Sequence, residues 1–341
     1  MIESLKLAYF PEKMHSINRQ RHCMLATKKN FEIVDDKYIF ANIHEIHDLL
    51  ISDDIELKVL FKLFFNTFKN KKFNIEIIFL ELYTISIQTI WNELQTRLSL
   101  NPTNYFTNGK ILYNSTKWVS KYLVFTLLLK RFSVTLYLPS YPRILFLRNK
   151  LANTHQFKLL RNLPILSLFN KEISENVHQG LNYITREPFF YLPGSINNYN
   201  DLLKVCQYAF KNSIKVVITT KEKNVKRKCK HFPECLMITA ELTYSEIIYL
   251  VIKSRAGIII YSSENINQNL EASSKLYEFL MLNKPIIASR VKGMEYDRNL
   301  NIDKRFHFID KLENIDITNF ENIHCELDTS LSFENQLLNI R

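Results

Sequence analysis

Short runs of continuous or alternating apolar residues are separated along this chain by longer segments whose apolar positions recur every three or four residues. This is the signature of βα units that build parallel sheets. In the first half the pattern predicts a strand over Leu5 to Phe10, a helix over Asn18 to Lys28, and a strand over Ile75 to Leu80 followed by a helical stretch through Trp91 and Leu94. It then predicts a helix over Lys117 to Arg131, a strand over Val134 to Leu138 that Pro139 ends, and a short strand ending near Arg161 to Pro164. Asn170 to Pro188 has no clear period and reads as a connection. Alternation then resumes, with strands over Phe189 to Leu192, Lys215 to Thr219, Leu236 to Thr239, Gly257 to Tyr261 and Ile286 to Ser289. Helices are predicted between them over Asp201 to Lys211, Tyr244 to Lys253 and Ser274 to Leu282. The class is α/β, with an N-terminal lobe over 1–168, a linker over 169–188 and a C-terminal lobe over 189–341 whose last residues are expected to pack back on the N-terminal lobe.

Length and composition agree with that division. The 341 residues suffice for two lobes with their own cores, and 46% hydrophobic with 23% charged residues is the balance of a chain that folds throughout. The longest apolar run, Tyr122 to Leu129, lies between Lys121 and Lys130 and is far too short to span a bilayer. It reads as a buried helix, with an interfacial role as the alternative. The first residues, MIESLKLAYFPEK, have no apolar signal region and read as a strand. Five scattered cysteines argue against a disulfide framework and for a reducing, cytoplasmic setting.

The formal charge of +11 favours an anionic partner: a phosphate compound, nucleic acid or an acidic membrane surface. No RNP sequence, zinc-finger spacing or KH-type loop supports nucleic acid, and no G-x-G-x-x-G or P-loop pattern supports a standard dinucleotide or P-loop enzyme.

Chemistry concentrates in GIIIYSSENINQNLEASSKLYEFLMLNKPIIASRVKG, Gly257 to Gly293. A buried strand, a polar loop, a helix and a second buried strand place the loop and helix N-terminus at the carboxyl edge of a parallel sheet, where ligands bind. Leu276, Phe279 and Leu280 are expected to face the core, leaving Lys275 and Glu278 together on the adjoining face. Unpaired N–H groups at the helix start, with Ser273, Ser274 and the Lys275 ammonium, suit a diphosphate, and Glu278 suits two ribose hydroxyls. The same spacing admits a plainer reading, in which Glu271 and Lys275 form a surface i,i+4 pair and Glu278 is merely solvated. Asn283 and Pro285 are expected to end the helix.

The run SSKLYEFLMLNKPIIAS resembles the donor-binding motif of GT-B glycosyltransferases. RNLPIL, FFYLPGSINNYNDLLKVCQYA and AELTYSEIIYLVIKSRAGIIIYSS resemble, in order, the strand before the interdomain linker, the opening of the donor lobe and the approach to the donor loop. The resemblance covers about residues 160 to 300. It implies two Rossmann-like lobes facing each other across a cleft, with Gly194, Ser273, Ser274, Lys275 and Glu278 at the donor site. It further implies transfer of a sugar from a nucleotide diphosphate donor to a saccharide or lipid-linked acceptor, in bacterial surface polysaccharide synthesis, with no cofactor and no metal. Leu270 stands where many retaining members carry a first Glu, with Glu271 one place off and Glu264 further upstream. Ser195, Ile196, Asn197 and Asn198 stand where many carry Arg and Lys. These departures motivate a second reading, a catalytically inactive binding or assembly protein of the same shape.

Other residues carry weaker signals. His15, in the loop after the first strand, is the candidate base toward an acceptor hydroxyl, against the commoner role of a surface histidine. His44 and His47 on one helical face, with Glu45 and Asp48, supply too few ligands for a metal site. Cys229, His231 and Cys235 lack a second pair at zinc spacing and read as incidental. Lys221, Lys223, Lys226, Arg227, Lys228 and Lys230 form a basic loop that suits peripheral contact with an anionic inner membrane as well as plain solvation.

Overall fold

A computed structural model describes residues 5–11, 16–35, 38, 46–52, 54–67, 74–78, 91, 95, 105–151, 153–172, 181–194, 196, 198–220, 223–239, 241–271, 273–300, 305–315, 320 and 327–340. They form two compact units, Met1–Leu160 with Asn265–Asn267, and Arg161–Glu264 with Gln268–Arg341.

The first unit is built on a six-stranded sheet of order β2-β1-β3-β4-β5-β6. Its strands are β1 (Leu5–Tyr9), β2 (Glu32–Val34), β3 (Ile46–Ser52), β4 (Asn74–Ile78), β5 (Val134–Leu138) and β6 (Gln156–Leu159). Every pairing is parallel. Its helices are α1 (Ser16–Lys28), α2 (Leu57–Thr67), α3 (Tyr105–Arg131) and α4 (Tyr141–Arg148). Ser140 accepts from Arg143 N to cap α4, and Pro142 sits in the first turn, where its missing N–H costs nothing.

Helix α3 begins earlier than the pattern predicts, β2 and β3 go unpredicted, and the short strand expected to end near Arg161 to Pro164 is β6, which ends at Leu159. Asp48 and His47 lie on β3, not on a helix: β3 pairs with β1 and β4, and across those pairings Asp48 meets Lys6 at 3.0 Å and Asn74 Nδ2 at 2.9 Å. That overturns the shared helical face considered for His47, while His44, Glu45 and His15 lie outside the described residues.

His22 of α1 is buried beside Phe10, and burial with the nearby Arg21 charge pulls its pKa down to about 3. A base whose folded pKa is depressed is neutral when folded. Its contribution to stability is complete above the unfolded value of 6.5 and is lost as pH falls toward the folded one. Stability should therefore drop by up to about 1.4 kcal/mol per pH unit across that window, and His22→Leu should flatten the slope in pH-dependent denaturant melts.

The second unit carries a six-stranded sheet of order β12-β11-β10-β7-β8-β9, again all parallel. Its strands are β7 (Phe189–Pro193), β8 (Lys215–Thr219), β9 (Cys235–Ile238), β10 (Ala256–Ile259), β11 (Ile286–Ala288) and β12 (Phe306–Phe308). Around them lie α5 (Leu166–Glu172), α6 (Tyr199–Lys211), α7 (Lys223–Cys229), α8 (Tyr244–Lys253), α9 (Ile266–Asn269, its first two residues counted with the first unit), α10 (Ser274–Met281), α11 (Lys292–Leu300) and α12 (Phe333–Leu338). Strands buried on both faces need continuous apolar runs, and all five residues of β7 are buried. Counted from β7, the order is that of a doubly wound dinucleotide fold, with its reversal between β7 and β10.

The basic segment read as a loop includes the helix α7, which packs Val225 and Cys229 inward and leaves Lys226 and Arg227 exposed, as is Lys230 just after it. Cys229 meets Cys206 of α6 at 3.7 Å between sulfurs, and Cys235 meets Cys206 at 3.4 Å, all as free thiols. His231 is exposed. Helix α12 is tied to residues 161–167 of its own unit: Phe333 N donates to Pro164 O at 2.8 Å, and Gln336 bonds both backbone groups of Arg161.

Candidate functional site

The reversal of strand order in the second sheet parts the chain leaving β7 from the chain leaving β10, so the carboxyl ends of these neighbours border a crevice. Gly194 ends β7 with φ of +86° and donates its N–H to Thr219 O at 2.8 Å. Lys275, second residue of α10, reaches this point and donates from Nζ to Pro193 O at 2.8 Å. A Cβ on Gly194 would lie 2.1 Å from that Nζ. The glycine is thus required twice, for its left-handed backbone and for the ammonium against it.

Burial holds the Lys275 ammonium below the usual lysine range, and the Glu278 and Glu271 carboxylates oppose that shift. Glu278 lies one turn along α10, only 4% exposed, and Tyr244 Oη donates to its Oε1 at 3.3 Å. Tyr244 is placed by the start of α8, where Thr243 and Glu246 form a reciprocal capping box. The plainer reading of this helix therefore fails on two counts. Glu271 precedes α10, so it makes no helical i,i+4 pair with Lys275, and Glu278 is buried rather than solvated.

Ser273 is the extended N-cap of α10, yet its buried hydroxyl does not cap the helix. Ser274 is the first helical residue and half-buried. The phenol of Tyr261 approaches Ser273, and burial together with Glu271 and Glu278 raises its pKa, so it stays a neutral donor. Helix N–H groups, an ammonium, a buried carboxylate and two phenols thus converge beside β7 and β10.

A second layer, unmarked in the sequence pattern, joins the loops that form this edge. Ser289 Oγ, after β11, donates to Asp201 Oδ2 at 2.6 Å and accepts from Tyr261 N at 3.1 Å. Asn198 caps α6 by accepting from Asp201 N at 3.1 Å. Such polar residues carry no periodicity, and only their convergence from the start of α6 and the loops after β10 and β11 reveals the network. Within α10 itself, Leu276 through Met281 are all buried.

The turn after α10 is purely structural. Asn283 adopts φ of +57°, Lys284 N donates to Phe279 O at 3.0 Å, and Lys284 Nζ crosses to Ser254 O at 2.7 Å. Leu270, at the position of a first carboxylate in the resemblance, is 5% exposed and belongs to the core, while Glu264 is exposed. Ser195 and Asn197 lie outside the described residues, and Ile196 is buried.

Gly194→Ala should act mainly through Lys275. The far end of a flexible lysine yields before the sheet does, so the ammonium leaves Pro193 O. We expect a modest fall in Tm from backbone strain, read in thermal denaturation.

No family model and no curated protein matches the sequence. Solved structures do match along nearly the whole chain. A crystal structure of Anabaena Alr3699/HepE in complex with UDP and glucose aligns with a TM-score of 0.57 at 9% identity, covering 93% of this chain and 90% of that one. A glycosyltransferase from Rickettsia africae aligns with a TM-score of 0.54 at 10% identity, covering 90% and 84%. At such identities the likeness establishes the fold, and the fold is that of the GT-B glycosyltransferases, with two Rossmann-like lobes on parallel sheets.

Proposed function

We propose that this protein transfers a sugar from a nucleoside diphosphate donor to a hydroxyl of a saccharide or lipid-linked saccharide, in the assembly of a bacterial surface polymer. The observation that carries the reading is the placement of Lys275 Nζ against Gly194 and Pro193 O at the strand-order reversal, with Glu278 buried one turn on. An ammonium beside the N–H groups of a helix start offers a diphosphate both charge and directed donors. Glu278, oriented by Tyr244, offers a carboxylate to the two ribose hydroxyls. As the glycosidic bond breaks, negative charge grows on the departing diphosphate, and Lys275 with the α10 N–H groups stabilises it where it forms. That the UDP complex of HepE shares the fold makes UDP the first donor nucleotide to test.

The alternative is a binding protein of the same fold without transfer. Leu270 favours it, because an apolar core residue occupies a position where a carboxylate would touch the donor sugar. Calorimetry with UDP, UDP-glucose, GDP and GDP-mannose, without added metal, decides the first step. Binding of one nucleotide family supports the donor site, and no binding of any removes it. Acceptor-dependent release of the nucleoside diphosphate then separates a transferase from a protein that binds donor and leaves it intact.

A further inference from the structure

Helices α2 and α3 of the first unit pack side by side, and each is apolar on two faces. The inward faces, Val59, Leu60, Leu63 and Phe64 on α2 and Val124, Phe125, Leu128 and Leu129 on α3, are core. The outward faces are also apolar. Phe61 and Phe65, one turn apart, stack with ring centroids 6.3 Å apart, and Phe65 is 64% exposed. Val119, Leu123 and Leu127, at i, i+4 and i+8, form a straight exposed stripe on α3, with Leu123 52% exposed. The run Tyr122 to Leu129 is therefore half core and half surface.

Charge on these helices has one sign. Residues 57–67 and 105–131 contain no Asp or Glu, while Lys58, Lys62, Lys117, Lys121, Lys130 and Arg131 border the apolar positions. Lys58 pairs with Glu56, just ahead of α2. Contiguous exposed apolar residues on a monomer's surface mark a contact site. A second copy of this face would set cations against cations. An anionic lipid surface offers both hydrocarbon for the rings and branched chains and phosphate for the lysines. No helix among the described residues is long and apolar enough to cross a membrane, so contact through this face is peripheral.

We propose that the outward face of α2 and α3 docks on an anionic lipid bilayer, inserting Phe61, Phe65, Leu123 and Leu127 at the interface while the flanking lysines engage headgroups. The inference stands on this face alone and not on the transferase reading.

Flotation of the full chain with phosphatidylcholine vesicles, and with vesicles containing an equal part of phosphatidylglycerol, tests it. The wild type should float with the anionic vesicles and only weakly with the neutral ones, and high salt should release it. The pair Phe65→Gln with Leu123→Gln, and separately Lys62→Glu with Lys130→Glu, should each weaken anionic-vesicle binding at least ten-fold while circular dichroism and thermal melts stay as in the wild type. The pair Lys226→Glu on α7 with Lys230→Glu just after it should leave it unchanged. No wild-type flotation overturns the proposal. So does equal loss in the α7 pair, or sedimentation showing a dimer that Phe65→Gln separates, which would assign the face to a second copy.

Discussion

Lys275→Met should lower UDP affinity by at least about a hundred-fold, roughly 3 kcal/mol, with little change in thermal stability. Methionine keeps most of the aliphatic stem in its packing and removes only the ammonium that donates to Pro193 O. The cation costs the fold something, since burial depresses its pKa, so its removal relieves a penalty while it ends one hydrogen bond. Affinity and stability should therefore separate, which a residue of purely structural importance would not show. The same depressed pKa predicts an alkaline limb. A bound diphosphate favours the charged amine, so affinity should fall as pH rises through the lowered pKa of the free protein. Binding on that limb should be accompanied by proton uptake in calorimetry across buffers of different ionisation enthalpy, and Lys275→Met should abolish that uptake. Unchanged UDP affinity in Lys275→Met would remove the donor site from this position.

Gly257→Ala should have the largest effect on stability, about 3 kcal/mol or more. A Cβ on this residue of the central strand β10 would lie 2.4 Å from Phe279, a ring with no exposure that also meets Tyr191 at 6.3 Å. Neither side can yield easily. The ring is locked in the core of α10 against the sheet, and β10 is paired on both edges, to β7 and β11. Adding Phe279→Leu should recover part of the loss, and the double-mutant cycle in urea should show a coupling of about 1 kcal/mol or more. Additive losses would mean that the clash is relieved elsewhere. Because Phe279 follows Glu278, the single variant should also loosen nucleotide binding before it unfolds the unit.

Much of the second unit was legible from pattern. Strands buried on both faces must be continuous apolar runs, so β7, β8 and β10 stand out, and Asn283 with Pro285 announces the end of α10. The first unit read less well. The strand β3 carries His47 and Asp48 near its start, which mimics a polar helix, and β2 is three residues long with no buried position. The basic stretch after β8 looked like a solvated loop because its cations outnumber its two inward anchors, Val225 and Cys229.

By itself the sequence determined the α/β class, the two-lobe division of strands and helices, and the candidacy of Lys275 and Glu278. Those depend on local periodicity and on spacing within one helix. Only the tertiary structure decided that both side chains turn inward, that Lys275 meets Gly194 and Pro193, and that Tyr244 holds Glu278. It alone joined Asp201 at the start of α6 to Ser289 and Tyr261 in two loops, and it alone left Leu123 and Leu127 of the Tyr122 to Leu129 run exposed. The physical reason is distance along the chain. Pattern reports which face of an element is apolar, whereas a site at the edge of a parallel sheet is made of residues far apart in sequence, brought together when the strands take their order.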